Sequence, residues 1–132
     1  MDNEANAHES GAITAIRRGD IFWIEPDGSS GSVPGVPHPH LVVQDDVFNC
    51  SRIATVVVCG LTSNLNRASE PGNVLLELGE GGLRKQSVVI SSQISSIEKT
   101  RLGARIGSLS GARVDQVIAA LRFLQVSYFR AD

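Results

Sequence analysis

The chain is dominated by short apolar runs that end at turn-forming residues. Six runs are rich in strand-forming side chains, at residues 21–24, 41–44, 55–59, 73–78, 87–91 and 93–97. The run at 55–59 is apolar at consecutive positions, which is typical of a strand buried on both faces, whereas the run at 93–97 alternates as a half-buried strand does. Five or six short strands separated by turns predict a small β-barrel.

A different period appears near the C-terminus. Ser110 is a suitable N-cap, and apolar side chains recur after it every three or four residues. They are Val114, Val117, Ile118, Leu121, Leu124 and Tyr128. This stripe predicts a helix over about residues 111–127 whose apolar face packs on the barrel. The expected fold class is therefore mainly β with a C-terminal α-helix.

Three segments lack the pattern of a packed element. Residues 1–16 are polar and poor in large apolar groups, so we expect a flexible N-terminal tail followed by one domain over residues 17–132. Residues 28–37 contain only Gly, Ser, Pro and Val, which favours a mobile loop of the kind that often covers a site. The glycines at 79–82 lack the spacing of a dinucleotide-binding motif and predict a flexible hairpin loop.

Composition places the chain among ordinary globular proteins. Its 132 residues suit one domain, 42% are hydrophobic and 20% are charged. No apolar run is long enough to span a membrane, and the N-terminal residues resemble neither a secretory signal nor a transit peptide, so the expected location is the cytoplasm. Cys50 and Cys59 are too few for a disulfide framework, and both lie in or beside apolar sequence where buried thiols are expected.

The formal net charge of −2 argues against a protein that is basic over its whole surface, but it leaves room for a local basic patch. The candidates for that patch are Arg17, Arg18, Arg52, Arg67, Arg84 and Lys85. The alternative for each is a solvated cation that keeps the protein soluble.

Candidate chemistry lies at two strand edges. His38 and His40 precede the apolar run at 41–44, and Thr62 follows the run at 55–59. Histidine has an unperturbed pKa of about 6.5, so two imidazoles on one face of a strand are candidates for proton transfer near neutral pH. The same residues also fit surface histidines that cap a strand and an ordinary strand-end hydroxyl. A metal site is a further alternative, although no Cys, Asp or Glu at suitable spacing supplies a third ligand.

A series of short motifs follows these elements in order. They are Arg18-Gly19-Asp20-Ile21-Phe22-Trp23, the Gly-rich loop, the strand from Pro39 to Gln44, Asp46-Val47-Phe48-Asn49, Leu61-Thr62-Ser63, Gly82-Leu83 with Ser87-Val88-Val89, Gln93-Ile94 and Gly107-Ser108-Leu109. In order and spacing the series resembles the MazF/PemK family of toxins over about residues 17–127. The resemblance implies a small SH3-like barrel with an appended helix and a homodimer. It also implies metal-independent, cofactor-free cleavage of single-stranded RNA by the toxin of a type II toxin-antitoxin pair.

The resemblance assigns residue roles. Family members typically read Arg-Pro where this chain has His38-Pro39, so His38 occupies the position of a catalytic arginine, and Thr62 matches the other catalytic residue. Histidine gains proton chemistry but loses a permanent charge, which a nearby cation should replace. The substrate-binding residues expected on this basis are His40, Ser63, Arg67, Arg84 and Lys85.

Three functions are open at this point. The first is a sequence-selective endoribonuclease that uses His38 and Thr62 and has a cognate antitoxin as partner. The second is a family member without cleavage activity that binds RNA or an antitoxin peptide in the same groove. The third is a divergent enzyme that uses the histidine pair, with or without a metal, on another substrate. Base recognition is expected at residues 29–37 and 63–72, and Trp23 is expected in the core or at a dimer contact, with base stacking as the alternative.

Overall fold

The computed structural model describes residues 15–26 and 35–126, which form a half-barrel of six antiparallel strands with a C-terminal helix. The strands are β1 (Asp20–Ile24), β2 (His38–Val42), β3 (Thr55–Thr62), β4 (Val74–Leu75), β5 (Val88–Glu98) and β6 (Arg105–Ser108). Their order across the sheet is β4-β5-β3-β2-β1-β6. The helices are α1 (Asp46–Asn49) and α2 (Gly111–Val126), and 3₁₀ turns lie at Leu65–Ser69, Glu80–Gly82 and Lys99–Arg101. The predicted fold class is confirmed.

The strands differ from the predicted ones in extent. The apolar runs at 87–91 and 93–97 were expected as two strands, but they form the single strand β5, because the chain changes its pairing register with β3 there without turning. The hydrophobic pattern did not predict β6, because Ile106 is its only apolar side chain. This strand pairs with β1 through backbone hydrogen bonds, which no side-chain pattern reveals. The run at 73–78 contributes only two residues to the sheet.

The sheet buries apolar side chains on both faces. The larger core, covered by α2, contains Ile21, Leu41, Val43, Cys59, Leu61, Val74, Leu76, Leu83, Val89, Leu109, Val114 and Val117. The smaller core contains Phe22, Ile24, Val42, Val56 and Val58, with Ile16, Ile97 and Leu102 packed against it. Because successive residues of a strand point to opposite faces, β1, β2 and β3 contribute to both cores. The prediction of a third strand buried on both faces is confirmed.

The predicted helix and its N-cap are confirmed. The Ser110 hydroxyl accepts a hydrogen bond from the Arg113 backbone N–H at 3.2 Å, as an N-cap does. Val114 and Val117 are buried, and Ile118 and Leu121 pack against the larger core. The predicted stripe therefore faces the sheet, while its last member, Tyr128, lies outside the described residues.

One prediction about burial is wrong for one of its two residues, and another is narrowed to one of its alternatives. Cys59 is buried, which raises the pKa of its thiol to about 12, but Cys50 is exposed because it follows α1 on the surface. Trp23 was expected in the core or at a dimer contact; it is not a core residue, since its side chain is 42% exposed, and the dimer contact stays a prediction. Of the predicted tail, residues 1–14 lie outside the described residues, and Ile16 packs on the smaller core. No helix within the described ranges has the length and apolar character needed to cross a membrane.

Candidate functional site

The site is built on the pairing of β2 with β3. His40 pairs with Gly60 and Val42 with Val58, and the same antiparallel register extended by two residues places His38 opposite Thr62. Because side chains alternate along a strand, His38, His40 and Val42 lie on one face of β2. Leu41 lies on the opposite face, which packs in the larger core. The imidazole and the hydroxyl singled out by the sequence are therefore neighbours at the ends of adjacent strands.

Two cavities meet at these strand ends, and His38, Leu61 and Thr62 line both of them. The first, called the apolar cavity, has a volume of about 650 Å³ and is also lined by Trp23, Pro39, Ile106, Ser63, Arg84 and Lys85. The second, called the polar cavity, has a volume of about 440 Å³ and is also lined by His40, Gly60, Arg67, Gln93, Ser95 and Arg101. The structure thus brings all seven sequence-predicted site residues into two adjoining cavities.

The apolar cavity depends on a close backbone contact between the β4–β5 connection and β6. Gly82 has φ +79°, and a Cβ on it would lie 2.7 Å from the carbonyl oxygen of Ile106. A glycine is therefore required at this position. The preceding turn is anchored to α2, since Arg113 donates to both carboxylate oxygens of Glu80 at 2.7 and 2.9 Å. The glycine-rich segment predicted as a flexible hairpin loop is an anchored turn that positions Arg84 and Lys85.

The hydroxyl of Thr62 is only partly engaged by the protein. Its oxygen accepts a hydrogen bond from the backbone N–H of Asn64 at 3.1 Å. The hydroxyl proton has no acceptor among the described residues, so it is available to a ligand in either cavity. This is the property needed in a donor to a phosphoryl oxygen.

His40 is half-buried, and its surroundings favour the neutral imidazole. Burial lowers the pKa of His40 below its ordinary value. A hydrogen bond with the His38 carbonyl opposes this by raising the pKa, and the charges of His38 and Arg101 lower it further. The Nδ1 atom lies 3.0 Å from that carbonyl oxygen, so the neutral tautomer that can donate to it carries its proton on Nδ1. The Nε2 atom is then an acceptor for a ligand.

The predicted cations are not equivalent. Arg67 forms a bidentate pair with Glu70, whose carboxylate oxygens lie 3.0 to 3.1 Å from the guanidinium nitrogens. This hydrogen bonding lowers the pKa of Glu70 and raises that of Arg67, so both stay charged and the pair carries no net charge. The side chains of Arg84 and Lys85 are exposed and form no ion pair with any described residue.

Sequence reasoning missed Arg101. Its guanidinium lines the polar cavity and donates to the backbone carbonyl of Glu25 at 2.6 Å, and it forms no ion pair within residues 15–26 and 35–126. Its position depends on the turn after β5, where the N–H of Gly103 bonds to the carbonyl of Trp23 at 2.7 Å. No side-chain pattern marks such a backbone contact, so the sequence offered no signal for this residue.

Possible metal ligands are scattered. Across the described ranges, no three His, Cys, Asp or Glu side chains lie close enough together to hold an ion.

Residues 17–124 match the model of the PemK-like, MazF-like toxins of type II toxin-antitoxin systems. Over 107 residues the chain is 38% identical to endoribonuclease MazF2 of Mycobacterium bovis and to endoribonuclease MazF6 of Mycobacterium tuberculosis, covering 81% of this chain and 94% of each relative. The chain belongs to the PemK/MazF toxin family. The resemblance seen in its motifs is confirmed, and the protein is a MazF-type toxin of a type II toxin-antitoxin system.

Solved structures of PemK/MazF toxins share the fold. A mycobacterial endoribonuclease in complex with its cognate antitoxin superimposes with a TM-score of 0.65 at 21% identity, covering 86% of this chain and 95% of that one. A MazE-MazF complex from Deinococcus radiodurans gives a TM-score of 0.68 at 19% identity, covering 85% and 97%. At these identities the likeness establishes the half-barrel and helix of the PemK/MazF family, and the roles of single residues rest on the geometry above.

Proposed function

We propose that this toxin is a metal-independent endoribonuclease that cleaves single-stranded RNA, with His38 and Thr62 as its catalytic residues. The observation that carries the proposal is the placement of the His38 imidazole and the Thr62 hydroxyl at adjacent strand ends, where both line the same two cavities. The endoribonuclease names of the 38% identical relatives support the reaction class.

The reaction needs three kinds of group. A base takes the proton of the ribose 2′-hydroxyl as that oxygen attacks phosphorus, an acid protonates the 5′-oxygen as its bond to phosphorus breaks, and donors hold the charge on the phosphoryl oxygens. The products are a 2′,3′-cyclic phosphate and a 5′-hydroxyl end. His38 supplies the imidazole for proton transfer, and the hydroxyl proton of Thr62, which no described residue accepts, supplies a donor.

A permanent positive charge is the remaining requirement, because His38 stands where the family typically has an arginine. Arg101 meets it in the polar cavity, since it lines the same space as His38 and Thr62 and no carboxylate of the described residues neutralises it. Arg67 lines that cavity too, but its charge is balanced by Glu70. Arg84 and Lys85 serve the adjoining apolar cavity, where a backbone phosphate of the RNA on the other side of the cut would bind.

A cognate antitoxin is the proposed protein partner, and the active form is a homodimer. The structural neighbours include an endoribonuclease in complex with its cognate antitoxin and MazE-MazF complexes. An acidic antitoxin segment that enters the apolar cavity would meet the exposed cations of Arg84 and Lys85, and it would block access to His38.

The test is cleavage of a long single-stranded RNA by the purified toxin, with and without a chelator, and with Thr62→Ala beside the wild type. We expect cleavage that survives chelation and leaves 2′,3′-cyclic phosphate ends. Thr62→Ala should lower kcat by about 10- to 100-fold with a smaller change in RNA affinity, because the hydroxyl acts mainly on the transition state. RNA that is bound but stays intact would mean a binding module, and cleavage lost on chelation would mean metal-dependent chemistry.

A further inference from the structure

The pairing of β3 with β5 is interrupted inside the polar cavity. Up to Cys59 the two strands pair in one register and from Leu61 in another, so that Gly60 alone faces residues 90–93. Irregularities of this kind change the direction of a side chain and are common beside active sites. Here the irregularity places the side chain of Gln93 over Gly60.

The absence of a side chain at Gly60 is what makes room for Gln93. A Cβ on Gly60 would lie 2.7 Å from the Gln93 Oε1 atom and 3.4 Å from its Cβ. The amide therefore rests against the β3 backbone, and it lines the cavity together with His38 and Thr62. The backbone itself does not require glycine, because Gly60 is not among the glycines with positive φ.

The amide of Gln93 differs from those of two other glutamines. Gln86 donates to the carbonyl of Leu76 at 2.8 Å, and Gln44 donates to the carbonyl of Thr55 at 3.2 Å. The Gln93 amide makes no hydrogen bond with any residue of the described ranges, and it is exposed to the cavity. Its donor and its acceptor are both open to a ligand.

We propose that Gln93 reads one base of the RNA, the base next to the scissile phosphate that enters the polar cavity. The inference rests on the proposed RNA cleavage and adds to it a residue that sets sequence preference. A carboxamide presents a donor and an acceptor side by side, so it pairs with two adjacent groups on the edge of one base, as glutamine does with adenine. Bases in single strands are unstacked and expose these edges. The polar cavity, about 440 Å³, is large enough for a small ligand of this size.

The experiment compares cleavage preferences on a pool of single-stranded RNAs with a randomised segment, read by sequencing of the product ends. The wild type should show a preferred base at one position beside the cut. Gln93→Ala should reduce that preference about tenfold while cleavage continues, since a bidentate base contact is worth roughly this much discrimination. Gln93→Glu should move the preference toward guanine, because a carboxylate only accepts and guanine offers two adjacent N–H donors.

Two further variants separate base reading from an effect on folding. Gly60→Ala should lose the same preference as Gln93→Ala, because the new methyl group displaces the flexible amide end of Gln93 without straining the backbone. Gln125→Glu makes the same change of charge on the exposed surface of α2, and it should leave both preference and rate unchanged.

The outcomes are distinct. An unchanged base preference in a folded, active Gln93→Ala protein overturns the inference and leaves the proposed function standing. A wild-type protein that cuts no RNA overturns the proposed function instead. A preference that is lost in Gln93→Ala but kept in Gly60→Ala contradicts the part assigned to Gly60.

Discussion

The molecule has two dense groups of polar side chains, one structural and one open to ligands. The first, called the polar clasp, consists of Arg18, Gln44, Asp46 and Asn49 and joins the start of β1 to α1. Asp46 accepts from the Arg18 backbone N–H at 2.7 Å and from the Asn49 amide at 2.9 Å. The amide of Asn49 also donates to the Gln44 carbonyl at 2.8 Å, and its oxygen accepts from the Gln44 amide at 2.9 Å. These short bonds satisfy the groups within the protein.

The second group, at the strand ends, has the opposite character. The Thr62 hydroxyl proton and the Gln93 amide have no partner among the described residues, and the imidazole of His38 is exposed. Satisfied polar groups stabilise a fold, whereas open ones are available to bind and react. The difference lies in hydrogen-bond partners, and it predicts opposite consequences for mutation in the two regions.

The largest effect is expected from His38→Ala. The imidazole is exposed and its ring forms no hydrogen bond with the described residues, so the fold should persist, while cleavage should fall by roughly 10²–10⁴-fold with the loss of proton transfer. Single-turnover cleavage and thermal unfolding measured on the same preparation check both halves of the prediction.

A control variant is available at the same position. His38→Arg introduces the residue that the motif resemblance predicts there, and it should keep more activity than His38→Ala through phosphate binding. A folded His38→Ala protein that cuts at the wild-type rate would falsify the catalytic assignment.

The reverse outcome is expected for Asp46→Ala in the polar clasp. Removal of the carboxylate leaves the Arg18 N–H and one Asn49 donor without their acceptor, which should lower the free energy of unfolding by about 2 kcal/mol. Cleavage per folded molecule should not change, because Asp46 lines neither cavity. Denaturant unfolding checks the loss, with Asp115→Ala on the exposed face of α2 as a control expected to be near neutral.

The effect of Asp46 also depends on pH. The hydrogen bond from the Arg18 N–H, and to a smaller extent that from Asn49, lowers the pKa of Asp46 below the ordinary value of a carboxylate. A lowered carboxylate pKa means that the stabilisation is present above the unfolded-state pKa and is lost as the pH falls through the folded-state pKa. The stability difference between wild type and Asp46→Ala should therefore narrow below about pH 4. A difference that stays constant into acid would contradict the role of the charge.

The periodicity of apolar side chains predicted the features of the fold that side chains determine. The strand cores, the α2 stripe and the Ser110 N-cap follow from hydrophobic spacing and capping chemistry, and the structure confirms them. The single strand β5 and the edge strand β6 were missed, because a change of pairing register at Gly60 and a ladder of backbone bonds leave little trace in the order of apolar residues.

The site residues also fall into those that the sequence could predict and those that it could not. His38 and Thr62 could be named because each adjoins an apolar run, and because Thr62 matches a family motif while His38 occupies the position of the other catalytic residue. The strand register then places them together. Arg101 could not be predicted from the sequence, because its place in the polar cavity depends on the turn after β5. The neutralisation of Arg67 was equally invisible, because sequence shows that Glu70 is three residues away but does not show that the two side chains pair.

The smallest effects, and the finest comparison, concern these two arginines of the polar cavity. Arg101→Gln should lower kcat/KM by about tenfold, because an unpaired guanidinium contributes about 1.4 kcal/mol or more when it binds a phosphate. Arg67→Gln should lower it by less than about twofold, because its charge is already balanced by Glu70. Steady-state cleavage at several salt concentrations measures both, and only Arg101→Gln should flatten the salt dependence.

The two arginines also differ in their structural contacts, so a structural role of Arg101 can be separated from the role of its charge. Arg101 donates to the Glu25 carbonyl, so a purely structural role would appear as a loss of thermal stability in Arg101→Gln that Arg101→Lys does not repair. If the charge itself matters, Arg101→Lys should recover part of the activity, and Glu70→Gln should raise RNA affinity slightly by releasing Arg67. Equal losses for Arg67→Gln and Arg101→Gln would show that pairing with Glu70 does not decide which cation serves the site.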